Sequence, residues 1–570
     1  MRRTVRLLLE ALALFAVLLL LPHQASAAKT FVFFCSGGDA QPVIQSRRTE
    51  QKYTIFLPGG WDASRVRITF ENEEPLRFGD LTVVSGEEAD LTPLLGKTVR
   101  LTRTGGQRLG TVTVLQGSAL ASVFITVDAK QLSRVLKDKH LIIPEGTVQI
   151  LDAEGTALYD GALTQFKGRG NNTYASHNRK KPFQLKLADK ADLFGMGKAR
   201  TWLLIASHQD LSLMRNQISL DLARALGLRG AVECVQADLW LNGVYNGLYL
   251  LTEKIQIQKN RLDLVNLEEA TEEVNPRPLE EYEYFSQKLD KKGEQRYKGY
   301  EIPNDPEDIT GGYILEIEKH YRYVSAKKSG FSTDTRLFIN IKEPSNASRA
   351  QAEYIRTRAN AMWQAVAAAD GRDPVSGAYY TELLDLESFA MKFLVEDFVK
   401  NLDVLAASQF FYKDSDRVDP KFYAGPCWDY DLCMGNLKIS EIGSGYRPEG
   451  SWMLRMRSGK TNWYKQLWQH PEFRETVFTL YRERFRPLLG RLLGETEAGA
   501  EAGLKTLTEY REAISASAVM NFTRWSLTGI KGYYPKSGEN HEAAADYLAD
   551  WIRKRVQSMD EEYASLPETP

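Results

Sequence analysis

Cysteine and histidine are scarce in this chain, with four Cys and seven His in 570 residues. Structural zinc sites take four ligands from tight Cys and His pairs. Neither the scattered histidines nor the spacing of Cys427 and Cys433 provides such pairs, so zinc is set aside. A dominant charge is lacking too: 73 basic residues face 74 acidic ones, for a net charge of −1. That balance gives no whole-chain reason to expect nucleic acid or an anionic membrane as a partner. No apolar run beyond the N-terminus approaches the about 20 residues of a spanning helix. No repeat of 20 to 50 residues is evident either, which removes solenoids and propellers.

What is present begins with a leader. "MRRTVRLLLEALALFAVLLLLPHQASA" has early arginines, an apolar stretch interrupted by Glu10, and then Ala25-Ser26-Ala27. This reads as a signal peptide over residues 1–27, cut after Ala27, and it predicts a secreted or surface protein with no membrane span after cleavage. Cys35 follows Phe-Phe rather than the small residues of a lipoprotein site, so no lipid anchor is expected. At the other end, Leu566-Pro567-Glu568-Thr569 resembles the core of a sortase signal, but Pro570 stands where Gly is needed. In an exported chain Cys35, Cys234, Cys427 and Cys433 allow three disulfide pairings, and Cys427 and Cys433 are near enough to bridge or simply to pack.

Hydrophobic content of 43% and charged content of 26% are those of a folded protein. At about 100 to 200 residues per domain the length predicts several domains. Residues 28–119 run in short β-rich stretches such as "YTIFLPGG", "VRITF" and "GTVTVL", separated by turn residues, and predict a small all-β sandwich. From residue 120 to 570 the pattern becomes α+β. "TVQILDAEGTALYDGALTQFKGRG" and "ADLWLNGVYNGLYLLTEKI" read as hairpins, the second with Asn242-Gly243 as a type I′ turn. "GGYILEIE" and "RLFINIK" add strands, and "SLMRNQISLDLARALGL" reads as a helix closing at Gly227. A polar insertion over about 267–308 reads as a mobile flap. Beyond Ser348 the period becomes helical: Ala352, Ile355, Ala359, Met362, Trp363 and Val366 share one face, and Tyr547, Trp551, Ile552, Val556 and Met559 another.

The chemistry concentrates in "NLDVLAASQFFYKD" and "GPCWDYDLCMGN". Asp403 follows a helix, while Asp429 and Asp431 follow a β-rich run 26 residues later. Carboxylates so placed can fold to face one another, the arrangement phosphoryl transfer uses: one accepts a hydroxyl proton and another holds Mg²⁺ against the phosphates. Asp-x-Asp in a turn is also common as a solvated pair, and that reading stays open. "FKGRGNN" is either a turn or a phosphate nest beside the basic run Arg179, Lys180 and Lys181.

In order along the chain, "LTQFKGRGNNTY", "KKPFQLKL", "WLLIASHQDLSLMRN", "LWLNGVYNGLYLLTEKI", "GGYILEIE" and "CWDYD" resemble the spore coat protein H (CotH) kinase family over roughly residues 120–560. The resemblance implies a diverged protein-kinase-like fold, with a β-rich N-lobe and a helical C-lobe. It also implies transfer of the γ-phosphate of ATP to Ser or Thr of a protein substrate, with Mg²⁺ or Mn²⁺. Carried over by motif, Asp403 takes the place of the catalytic aspartate and Asp429 that of the metal-binding one, with Asp431 a second ligand or support. Lys181 resembles the lysine that neutralises phosphate, with Lys180 as the register alternative, and Glu253 is its pairing partner. Arg169, Arg215 and Asn216 fall in nucleotide-side motifs, although Arg215 suits a salt bridge between elements equally well. Ser408 departs from the family, which has Asn five residues after the catalytic aspartate as a metal ligand; with Asp429 and Asp431 it is the third candidate metal ligand, through a hydroxyl of shorter reach, and Gln409 beside it is the substitute.

Two further readings compete with the kinase. A catalytically weak pseudokinase acting as a surface adhesion protein is favoured by Ser408 and by the scarcity of ATP outside cells. A metal-dependent hydrolase using the aspartate pair lacks supporting histidines.

Overall fold

The structure, a computed structural model, describes residues 31–38, 41–72, 74–170, 172–174, 178–288, 295–317, 328–334, 337–401, 403–404, 407–436, 447–455, 462–526 and 540–564. The expected signal peptide and the Leu566–Thr569 motif lie outside the described residues. Two units make up the chain: residues up to Ile55 together with Ala63–Val114, and Phe56–Asp62 together with the chain from Leu115 onward.

In the first unit, the strands Phe34–Ser36, Ile44–Gln45, Val66–Thr69 and Glu88–Ala89 pair antiparallel. A second antiparallel sheet contains Arg47–Thr49, Lys52–Leu57, Leu76–Phe78, Leu81–Val83, Thr98–Arg103 and Arg108–Gln116. Buried Phe33 joins them, its ring 5.4 Å from Tyr53, 5.7 Å from Phe70 and 5.1 Å from Phe78.

The second unit is mixed α+β. Its β-rich part contains β1 (Ala121–Thr126), β2 (Gly146–Leu151), β3 (Ala157–Gly168), β4 (Phe183–Asp192), β5 (Lys198–Ile205), β6 (Cys234–Leu241) and β7 (Val244–Glu253). They run in the order β5-β4-β3-β2-β1-β6-β7, and β5 also pairs with β7, in the register Trp202 to Glu253 through Ile205 to Leu250. This β-rich part is therefore a closed seven-stranded barrel, which leaves no unpaired edge. Alternation along each strand explains the closure. Trp202, Leu204, Tyr249 and Leu251 point into the barrel with Phe183, Leu185 and Leu239. Their neighbours Leu203, Ile205, Leu248 and Leu250 face outward and join the helical core. The β6–β7 turn has φ of 49° at Asn242 and 79° at Gly243, as a type I′ turn requires.

A second, antiparallel sheet holds β8 (Tyr284–Lys288), β9 (Gln295–Tyr300), β10 (Tyr313–Ile317), β11 (Gly330–Ser332), β12 (Phe338–Glu343), β13 (Gln409–Lys413) and β14 (Phe422–Ala424), in the order β8-β9-β11-β12-β10-β13-β14. The polar insertion contributes β8 and β9 and a helix over Leu267–Glu273, where the sequence predicts a flap. The apolar residues scattered among its charges account for the difference: Leu267, Leu279, Tyr282, Phe285 and Tyr297 are all buried.

The helices that frame the site are α1 (Arg215–Leu226), α2 (Arg349–Ala367), α3 (Leu386–Val399), α4 (Leu507–Arg524) and α5 (His541–Ala564). Gly227 ends α1 at φ 91°, Ser348 and Gln351 form a capping box on α2, and Asp385 caps α3 through the Ser388 amide. The six apolar residues predicted on one face of α2 are buried. Among the described residues no helix is long and apolar enough to cross a membrane.

Candidate active site

Strand β13 starts directly after Ser408, and β14 feeds the loop 425–436. These two segments bring Ser408 and Asp429 together: the Ser408 hydroxyl donates to Asp429 Oδ2 at 3.1 Å. Both residues have positive φ, 55° and 67°. Non-glycine residues adopt that region at a cost, and such positions gather at functional sites.

Asp431 is buried, and the Asn216 side-chain amide donates to it. Asn216 also accepts from the Tyr430 amide at 2.8 Å, so the first turn of α1 grips the loop from both sides of Tyr430. Arg215 beside it is buried and paired with Asp210, and its guanidinium donates to the carbonyls of Cys433 at 3.2 Å and Met434 at 3.3 Å. These contacts tie the start of α1 to Asp210 and to the loop 425–436. Asn436 closes the loop by donating to the carbonyls of Gln209 and Asp431.

Burial pushes Asp431 up to about 7, with the charges of Asp429 and Asp210 adding to the rise. Asp429 rises for the same first reason, and Glu316 on β10 adds to it. Arg169 counters both through its positive charge, and its guanidinium lies 5.3 Å from the centre of the Trp428 ring. Two carboxylates held this way attract cations. Among the described residues no three Asp, Glu, His or Cys side chains converge as a metal site built from them alone requires.

The basic run divides by residue. Lys180 is buried, donates to the Leu248 carbonyl and to Asn521 Oδ1 at 2.8 Å, and lies 4.6 Å from the centre of the Tyr249 ring. Burial pushes it down to about 7, while Asp238 and Asp431 pull it upward. Lys181 donates instead to the Tyr174 carbonyl at 3.2 Å. The charge near Asp431 is therefore that of Lys180, the register alternative. Glu253 pairs with Arg261 at 3.4 Å and accepts from the Glu233 amide at 2.9 Å. With Arg224, Lys254, Arg261 and Pro426 it lines a cavity of about 210 Å³.

Gly168 ends β3 opposite Phe183, and Arg169 and Gly170 lead out of it, Arg169 donating its amide to the Pro182 carbonyl at 3.1 Å and Lys139 donating to the Gly170 carbonyl at 2.6 Å. Asp403 is partly buried, and its amide donates to Asn401 Oδ1 at 3.0 Å. Cys427 and Cys433 are buried free thiols, as are Cys35 and Cys234.

Sequence reasoning missed Asp210 and Asn521, and it missed the ion pair of Lys392 and Glu396 beneath the loop. Asp210 carried a usable signal, since "DLSLMR" offers an acidic side chain to nearby amides, those of Ser212 and of Arg215, the first residue of α1. Asn521 carried none, being 341 residues from Lys180.

No curated protein matches the chain. A family model described as CotH kinase protein matches residues 165–559, from within β3 to near the end of α5, and the chain belongs to that family.

Proposed function

We propose that this chain is an exported atypical protein kinase that transfers the γ-phosphate of ATP to Ser or Thr of surface or coat proteins. The observation that carries the reading is the pair Asp429 and Asp431, both pushed up by burial, with Arg169 facing them and Ser408 bonded to the first. Mg²⁺ is held by one or two carboxylates, with waters and substrate phosphates completing its shell, so this donor set fits the ion although it is too small for an all-protein cage. Asp429 and Asp431 would hold Mg²⁺ or Mn²⁺, which when bound neutralises charge on the phosphates.

In this reading Asp403 accepts the proton of the acceptor hydroxyl. Arg169 and Lys180 bring positive charge to the nucleotide side, while Arg215 and Asn216 keep the loop in place. Lys181 and Glu253, the expected lysine and glutamate pair, serve the surrounding framework through Tyr174 and Arg261. A diverged protein-kinase-like arrangement, the barrel standing for the N-lobe and the helices for the C-lobe, belongs to the same proposal. So does export by residues 1–27.

A second reading, a catalytically weak pseudokinase acting as a surface adhesion protein, for which ATP binding is not required, is favoured by one observation: Ser408, where the family has Asn, turns its hydroxyl to Asp429. ATP binding to the mature protein by calorimetry, with Mg²⁺ or Mn²⁺, tests the kinase proposal. Metal-dependent binding that weakens about tenfold or more in Asp429→Ala, a change of about 1.4 kcal/mol, supports it. Absence of binding by folded protein overturns it in favour of the adhesion reading.

A further inference from the structure

Ser408 and Asp429 come from different elements and are separated by 21 residues, yet the residue after each sends its side chain to a single oxygen. Gln409 Nε2 donates to Glu396 Oε1 at 3.3 Å, and the Tyr430 hydroxyl donates to the same oxygen at 2.9 Å. Glu396 lies on α3, where every residue from Ser388 to Val399 is buried. One turn earlier, the Lys392 ammonium lies 2.5 Å from Glu396 Oε1 and 3.4 Å from both Cys427 Sγ and the Tyr430 hydroxyl.

We propose that Glu396, held by Lys392, is a positioning residue that sets Ser408 against Asp429 by anchoring the residue next to each. Positive φ at a non-glycine residue persists only where its surroundings over-determine it. At both positions the constraint comes from the neighbouring side chain, fixed by a charge-assisted hydrogen bond to a carboxylate that is itself clamped within one helix. Tyr430 is also held through its amide by Asn216, so Asp429 and Asp431, which flank it, inherit their placement from α1 on one side and α3 on the other. The consequence for phosphate transfer rests on the function proposed above, whereas the anchoring itself does not.

Amide hydrogen exchange separates the two. In Glu396→Gln the segments 409–413 and 428–434 are expected to exchange about tenfold faster or more, together, with the barrel strands β6 and β7 unchanged. Tyr430→Phe removes one hydroxyl and leaves the ion pair, so it covers the case in which Glu396→Gln loosens the whole chain. It is expected to speed exchange in 428–434 and to lower kcat about fivefold or more, with KM for ATP within about twofold, the pattern of a lost alignment rather than lost binding. If Glu396→Gln loosens one segment and leaves the other at its parental rate, or if Tyr430→Phe changes neither exchange nor kcat, the proposal is overturned. If the parent protein transfers no phosphate while both segments still loosen together, the anchoring stands and the kinase reading fails.

Discussion

Asp238→Asn is expected to stabilise the protein at neutral pH. Asp238 is 1% exposed on β6 and accepts from the Ser517 hydroxyl of α4 at 2.6 Å and from the Tyr245 hydroxyl at 2.7 Å. Burial raises it from the ordinary 3.8 to about 6, the two hydroxyls and Lys180 opposing that rise. The folded state therefore binds this proton more tightly than the unfolded chain does. The contribution of the group is fully present below about pH 4 and is lost as the pH climbs through about 6. The difference corresponds to about 3 kcal/mol at neutral pH.

Asparagine removes that penalty while still accepting one hydroxyl. Weaker neutral hydrogen bonds cost about 1 kcal/mol, and loss of a carboxylate near Lys180 offsets part of the gain. The net expectation is about 1 to 2 kcal/mol of added stability at pH 7.5 and none at pH 4. Urea midpoints of parent and variant at both pH values measure it. The difference between the two proteins is the readout, because burial also raises Asp221 to about 6 and both Glu253 and Glu343 to about 7. An Asp238→Asn protein less stable than its parent at pH 7.5, with the same loss between pH 4 and 7.5, would refute the reasoning.

Arg215→Ala leaves Asp210 buried without its cation and two loop carbonyls without donors, so denaturation should register a loss of about 3 to 5 kcal/mol. Arg215→Lys should restore little of it, because a single ammonium does not reproduce the guanidinium's several directed contacts. All four cysteines are free and buried, so native protein should react with almost no thiol reagent, denatured protein with four equivalents, and prior reduction should leave the thermal midpoint unchanged.

Local features of the fold were readable in the sequence, because local chemistry sets them. Asn242-Gly243 specified the β6–β7 turn, Gly227 the end of α1, and the spacing of Ala352 through Val366 the buried face of α2. Closure of the barrel was not readable. It depends on β5 meeting β7, and since both faces of those strands are buried, "TWLLIA" and "GLYLLTE" look like plain apolar runs. The insertion misled through its charge, which hid the few aromatic and aliphatic residues that fold it.

The sequence singles out Asp429, Asp431 and Ser408, and the structure joins Ser408 to Asp429 and buries Asp431. The different surroundings of Lys180 and Lys181 were not legible, since Leu248 and Asn521, which Lys180 reaches, lie 68 and 341 residues along the chain. Lys392 and Glu396 look like an ordinary exposed helical pair, four residues apart, and only the burial of α3 reveals them as an anchor.

Transfer of radiolabelled phosphate from ATP by the mature protein, to itself and to a generic protein acceptor with Mg²⁺ or Mn²⁺, tests the central proposal most directly. Label that is present in the parent and lost in both Asp403→Ala and Asp429→Ala is the predicted result. Folded parent protein with no more label than either variant contradicts it.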